Sequence, residues 1–487
     1  MWHFAVFLLL IYYLINRRNS KYLLYPPGPY SLPIIGNLLS VWMGLKNHKY
    51  HHKLWQSWSK IYGNILGLRL GLINVVVVSG RDMIKEVSSR EVFEGRPDGF
   101  MYTMRSFGKK LGIVFGDGRP WSNTRRVALK YLRSFGYGTR SMEVIIAEEC
   151  SELVKLRASD SGQPVLVNQM FNISVINILW RVVAGRRYDL NDDRVKHLCG
   201  LVMRLFRLVD MSGGIISFMP FLRHLVPKLI GFTEMKAIHA SLQTFVKETI
   251  EEHKASIDIE NPRDVIDAFL IEMLSNKENA FTEEELYVVS LDMLEAGMET
   301  VANTAVFMLL YLVRDENIQR KVQKEIDDVI GIRQPSLSDR SRMVYTEAVL
   351  LETLRLSSVA AMGIPHMALE DAHLGEYLIP KGTFLLMAIH DLHNGDLWEE
   401  ADTFKPERFL NEGKLVQDER LIPFGLGRRR CIGEGLAKSE LFMFLTHILQ
   451  KFNLRIPHGD SLPSLEPVDG LTLSANPFSV IFEQRSS

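Results

Sequence analysis

Residues 424–433 read FGLGRRRCIG, and a helix-forming run follows at once from 434 to 448. A lone cysteine in a loop this rich in glycine and arginine, set directly before a helix, presents one thiolate to a metal centre. The glycines let the backbone pass close beneath a flat ligand and turn amide N–H groups toward the sulfur. The arginines and the helix N-terminus favour the deprotonated form. Taken alone, Cys431 also reads as a small buried hydrophobe, the commonest role of a free cysteine.

The chain has 487 residues, of which 47% are hydrophobic and 23% charged, a balance that suits a globular protein with a large core. No internal repeat, low-complexity tract or Gly/Ser linker follows residue 40, so residues 41–487 read as one continuous catalytic domain. Formal net charge is zero, which gives no support for binding nucleic acid or anionic surfaces in general. Three cysteines without a C-x-x-C spacing fit a reducing compartment.

The first fifteen residues, MWHFAVFLLLIYYLI, are almost wholly apolar and are followed by Asn16, Arg17, Arg18 and Lys21. At about 1.5 Å per residue the run is slightly short for a hydrocarbon core of about 30 Å unless flanking residues snorkel. A membrane anchor over 1–20 and a cleaved signal peptide are both readings of it. The absence of a small-residue cleavage site, and positive charges after the run rather than before it, favour the anchor. The positive-inside rule then places the main domain in the cytosol. Residues 21–40 carry YPPGP at 25–29 and LPIIGN at 32–37, predicting a stiff proline-rich hinge.

Most of the remainder predicts helix, most clearly over 282–314, 317–330 and 345–356, with Thr282 and Glu285 forming a capping box. Strand signals fall at 64–70, 73–79, 378–379, 383–388, 452–456 and 478–482. The fold class is therefore mainly α with a small β-rich region.

The string 424–433 matches F-x-x-G-x-R-x-C-x-G at every fixed position, and with it the chain resembles the cytochrome P-450 family, microsomal type. The run from Gly95 to Trp121 looks most like insect members. The resemblance implies that family's fold and haem b as cofactor, with Cys431 as axial thiolate and Phe424, Gly427, Arg429, Gly433 and Ala437 around it. Thiolate ligation pushes electron density onto iron and favours O–O cleavage.

Further motifs agree with that resemblance. Glu352 and Arg355 share one helix face, and the family joins such a pair to a downstream arginine, here Arg408, to hold the cysteine loop. The sequence AGMET at 296–300 places a glycine in mid-helix, at a cost of about 1 kcal/mol against alanine, which suggests close approach to the backbone. In the family Ala296 and Gly297 leave room for dioxygen, and Glu299 with Thr300 relays protons. Trp121, Arg125, His366 and Arg429 match contacts to the haem propionates, with Lys109 a weaker match. The pocket-forming segments, 100–115, 201–232, 293–300, 357–364 and 471–476, are apolar and favour a lipophilic substrate. Residues 215–232 are apolar enough either to dip into a bilayer or to pack on their own domain.

No G-x-G-x-x-G strand–helix fingerprint occurs, so electrons must come from outside. The resemblance implies an NADPH-dependent reductase, with cytochrome b5 as an optional second donor, at the cytosolic face of the endoplasmic reticulum membrane. Arg428, Arg430, Arg126, Lys130 and Lys438 would form its docking patch. The expected activity is insertion of one oxygen atom from O2 into a lipophilic molecule. A haem-thiolate isomerase or dehydratase working on a peroxide, and a non-catalytic haem sensor, are the alternatives.

Overall fold

The helix Glu283–Arg314 runs through the middle of the molecule and sets the positions of everything else. The Thr282 hydroxyl accepts from the Glu285 amide at 3.2 Å, three glutamates occupy the first turn and Arg314 the last, so both ends complement the helix dipole. Its residues are apolar on nearly every face, which makes it long and apolar enough to cross a membrane. Here it is a core element instead, packed against helices Asn172–Ala184, Phe232–Ser256, Val344–Ser357 and Glu434–Lys451.

This computed structural model describes residues 24–485, apart from 161, 211 and 276–280, together with Trp2, Ala5 and Val6. The expected anchor at 1–20 therefore lies almost wholly outside the described residues. The described part forms a mainly helical single domain with small sheets, as the sequence predicts.

In the first sheet, Ile65–Leu70 pairs antiparallel with Ile73–Val78, which pairs parallel with Phe384–Met387, which in turn pairs antiparallel with His366–Met367. The parallel pair joins the N-terminal region to the later third of the chain. Its central residues, Val75 to Val78 and Phe384 to Met387, are buried throughout, which is why they read as continuous apolar runs. A second sheet orders Phe452–Arg455, Ser479–Gln484 and Pro164–Leu166. The short Pro164–Leu166 strand has no sequence signal of its own, because only three residues pair.

The proline-rich segment behaves differently from a free spacer. The Tyr25 hydroxyl donates to the Leu68 and Val75 carbonyls, and the Gly67 amide donates to the Pro27 carbonyl at 2.8 Å. A Cβ at Gly28 would lie 1.8 Å from the Gly67 oxygen, so backbone meets backbone there. From Tyr25 onward the segment is part of the folded body. Residues 215–232 are divided: Ile216 and Phe218 are buried, whereas Phe221, Leu225 and Leu229 are exposed.

Candidate active site

The cysteine loop is closed by a hydrogen bond from the Cys431 amide to the Phe424 carbonyl, 2.9 Å, and by a turn from the Arg430 amide to the Gly427 carbonyl. Gly433 precedes the helix Glu434–Lys451 and points its N–H at the Cys431 sulfur, 3.3 Å away. Cys150 and Cys199 are buried in the core, and burial raises both thiols, Cys199 to about 12. Cys431 instead faces a large cavity, about 410 Å³ of it open to the centre of a water molecule. Burial between the cavity walls raises its thiol too, while the Gly433 amide and Arg125 act against that rise. The thiolate becomes the resting form once a cation joins it, as metal ligation provides.

One wall of the cavity is cationic. Arg125 donates to the Arg430 carbonyl at 2.5 Å, and Arg429 donates through Nε and Nη2 to the Glu94 carbonyl at 3.0 and 2.8 Å. Arg429 Nη1 is buried with no partner among the described residues, and its guanidinium lies 3.5 Å from the centre of the Trp121 ring. Arg96, which sequence reasoning missed, lines the same cavity with Nε on the Val114 carbonyl and Nη1 on the Ile364 and Pro365 carbonyls. Burial lowers all three arginines, Arg429 to about 10; repulsion from Arg429 and Arg125 adds to the fall at Arg96, and repulsion from Arg125 and Arg428 adds to it at Arg429. Three facing cations and one unpartnered N–H fit a ligand that brings carboxylates. The GRPD string at 95–98 holds the only signal for Arg96, since its partners lie up to 269 residues away.

Other expected contacts are placed differently. The Trp121 indole N–H is taken by the Ile113 carbonyl at 3.1 Å, leaving the ring as the floor under Arg429. His366 lines the cavity, but Nδ1 bonds the Phe93 carbonyl at 2.7 Å. A carbonyl only accepts, so Nδ1 carries the proton, and burial with Arg96 nearby holds the ring neutral. A carboxylate facing Nε2 would have to bring a proton or raise the ring's pKa. Lys109 is exposed and paired with Glu284, away from the cavity. Gly427 is not on the described lining. Its φ is +67°, and a Cβ would lie 1.9 Å from the Ser88 carbonyl oxygen, so its role is to let the loop press on that backbone. Phe424, Gly433 and Ala437 do line the cavity, as does Gly425.

From the central helix, Ala296, Gly297 and Thr300 face the cavity. The Thr300 hydroxyl donates back to the Ala296 carbonyl at 2.9 Å. The close approach at Gly297 comes from Leu179 of the neighbouring helix, whose Cδ2 would be 2.4 Å from a Cβ. Glu299 does not share the lining with Thr300. Its Oε1 accepts from Arg207 at 2.7 Å and Asn303 at 2.9 Å, and it is 1% exposed. The expected acid–alcohol pair is thus split between the cavity and an ion pair behind it.

Behind the cysteine loop, Glu352 accepts two bonds from Arg355, at 2.7 and 2.9 Å, and one from Arg408 at 3.0 Å. Arg355 also donates to the His393 carbonyl at 2.7 Å. His393 Nε2 accepts the Ile422 amide at 2.9 Å, and its Nδ1 meets the Ser358 hydroxyl. This chain of bonds reaches within two residues of Phe424, giving the trio a direct hold on the loop. His393 carries no sequence signal because its two contacts come from the fold.

The expected docking patch is largely paired. Arg428 meets Glu91 and Glu94, and Arg430 and Lys438 both meet Glu434; Arg126 and Lys130 remain exposed.

A family profile described as Cytochrome P450 matches residues 26–482. This chain belongs to the cytochrome P450 family. It is 64% identical over 481 residues to a Bombyx mori protein named farnesoate epoxidase, covering 98% of this chain and 97% of that one. It is 36% identical to the Mus musculus protein cytochrome P450 2J5, covering 96% and 93%. With the Drosophila melanogaster protein named probable cytochrome P450 305a1 it shares 34%, covering 98% and 97%. As a cytochrome P450 it is a haem-thiolate monooxygenase, and Cys431 is the cysteine that its cavity offers to iron. The cationic wall and the amide-supported sulfur fit that cofactor.

Proposed function

We propose that this cytochrome P450 epoxidises a lipophilic isoprenoid carboxyl compound of the farnesoate type, with electrons from a separate NADPH-dependent reductase. The observation that carries this reading is the 64% identity, along nearly the whole of both chains, to a protein named farnesoate epoxidase. An apolar cavity wall with Met101, Phe115, Leu205, Phe206 and Val209 suits such a chain.

Haem, when bound, supplies dioxygen activation and transfer of one oxygen atom. Cys431 offers the sulfur, and the Gly433 amide steadies charge on it. Arg96, Arg125 and Arg429 would hold the two propionates, and Arg429 Nη1 would gain the acceptor it lacks. Thr300 brings a proton-bearing hydroxyl to the cavity wall from the central helix. Glu299 feeds it only after leaving Arg207, so the ion pair sets how readily protons arrive.

Residues 1–20 act as the anchor and 21–40 as its proline-rich junction, docked from Tyr25 onward on the catalytic domain 41–487, on the cytosolic face of the endoplasmic reticulum. Exposed Phe221, Leu225 and Leu229 support contact with the bilayer. Arg126 and Lys130 lead the reductase-facing surface. The test is to incubate purified enzyme, reductase and NADPH with isoprenoid acids, their esters, sterols and fatty acids. The reading expects an epoxide from the isoprenoid carboxyl compounds, dependent on reductase. Turnover confined to sterols or fatty acids would refute it.

A further inference from the structure

Asp292 ties the central helix to the 100–115 segment. Its Oδ1 accepts from Arg105 Nη1 at 2.5 Å, and its Oδ2 accepts from the Ile113 and Val114 amides at 2.6 and 3.0 Å. A Cβ at Gly112 would come within 2.3 Å of Oδ2, so the loop is closed down on this carboxylate. One buried cation and one buried anion balance, and both Asp292 oxygens are satisfied.

The polar groups beside that pair have no such explanation. Glu295 Oε2 accepts from Arg105 Nη2 at 2.7 Å, but Oε1 is buried with no partner among the described residues. His239, from helix Phe232–Ser256, is buried with Nδ1 likewise unpartnered, 3.9 Å from that Oε1 and too far for a hydrogen bond. Arg105 Nε also lacks a partner among the described residues. Arg105, Asp292, Glu295 and His239 all line the cavity that holds Cys431 and Thr300. Unpartnered buried polar atoms are costly, and three in one cluster mark a place where ligand atoms complete the bonding.

Charge narrows the ligand. Burial raises Glu295 above the ordinary carboxyl range, with Arg105 opposing and Asp292 adding to the rise. Burial and Arg105 lower His239 to about 3, so its ring is neutral. The Arg105 guanidinium and the His239 ring N–H are donors set in an apolar wall, and Glu295 joins them in its protonated form. They suit an oxygen acceptor at the end of a hydrocarbon chain.

We infer that Arg105, Glu295 and His239 form the head-group subsite for the carboxyl or carboxyl-ester end of the isoprenoid substrate. The hydrocarbon tail then runs along the apolar wall toward Thr300 and Cys431. This subsite rests on the isoprenoid reading given above. Glu295 precedes Thr300 by five residues, about 7.5 Å along the helix axis. Anchoring the polar end there delivers a double bond remote from the carboxyl group.

The test compares wild-type holoenzyme with Glu295→Leu and His239→Phe, using equilibrium dialysis of farnesoate, its methyl ester and the same hydrocarbon chain without a carboxyl group. Each variant should weaken the acid and the ester by about tenfold, the loss of one or two buried hydrogen bonds. The hydrocarbon should keep its affinity, and the single epoxide should become a mixture of epoxides. The ratio of losses for acid and ester tells which form the subsite takes. Equal losses for all three probes, or none for the acid and ester, would overturn the subsite while leaving the isoprenoid reading intact. Wild-type enzyme that binds none of the three overturns the reading and the subsite together. The two substitutions lie on different helices, so if one variant fails to fold, the other decides.

Discussion

Arg207 Nη2 stands 2.7 Å from Glu299 Oε1, joining helix Asp193–Leu208 to the acid that precedes Thr300. The same guanidinium donates through Nη1 to the Val468, Asp469 and Thr472 carbonyls. One arginine therefore fastens three parts of the chain and holds the relay acid off the cavity.

Arg207→Leu leaves Glu299 buried without its counter-charge and should lower stability by about 3 kcal/mol. Adding Glu299→Gln should recover part of that loss. A double-mutant cycle on thermal stability is expected to show a coupling of about 1.5 kcal/mol or more; independent effects would mean the pair contributes nothing.

Gly427→Ala should be far worse than Gly413→Ala. Both residues have positive φ, +67° and +74°, which costs an alanine about 1–2 kcal/mol. Of the two, it is at Gly427 that the new Cβ would meet backbone, the Ser88 oxygen at 1.9 Å; at Gly413, away from the cavity, nothing lies within 4 Å. Haem content of the purified variants measures the difference. Equal retention would contradict the packing account.

His393→Phe removes the acceptor for the Ile422 amide and should cost about 1–3 kcal/mol, the penalty for a buried unmet donor. Because the amide belongs to the segment leading into the cysteine loop, haem dissociation should quicken while helix content holds. Dissociation at the wild-type rate would uncouple His393 from the loop.

His253 Nε2 meets Asp264 at 2.8 Å and Nδ1 meets the Thr249 carbonyl at 2.6 Å. Burial disfavours the charged ring, but Asp264, the Thr249 carbonyl and Asp267 outweigh it and raise the pKa above 6.5. The folded state then holds its proton more tightly than the unfolded chain. The resulting stability is fully present below about pH 6.5 and is lost as pH rises through the raised value. Thermal stability should fall as pH rises above about 6.5, and His253→Gln should flatten that slope; parallel profiles would exclude His253 as its source.

Much of this molecule is legible in the chain because its signals are local. Helix 283–314, the strands at 65–70, 73–78 and 384–387 and the 424–433 loop each declare themselves within a few residues. What escapes is set by partners far away in sequence. Glu299 reads as sharing the cavity with Thr300 until Arg207 takes it, and Gly427 reads as a ligand-facing glycine until Ser88 meets it. Arg96 and His393 gain their roles from carbonyls and amides that only folding brings near. Glu295, one residue ahead of the AGMET string, falls in a segment read as pocket-forming but gains a role of its own only when Arg105 and His239 enclose it.

With haem held by Cys431, the oxygen inserted into an isoprenoid carboxyl compound is expected to come from dioxygen and to reach a double bond. Wild-type holoenzyme with reductase, NADPH, farnesoate and isotopically labelled dioxygen should give an epoxide carrying one labelled oxygen atom, and Cys431→Ala should give none. An unlabelled product, label taken from water, or undiminished turnover by Cys431→Ala would contradict it.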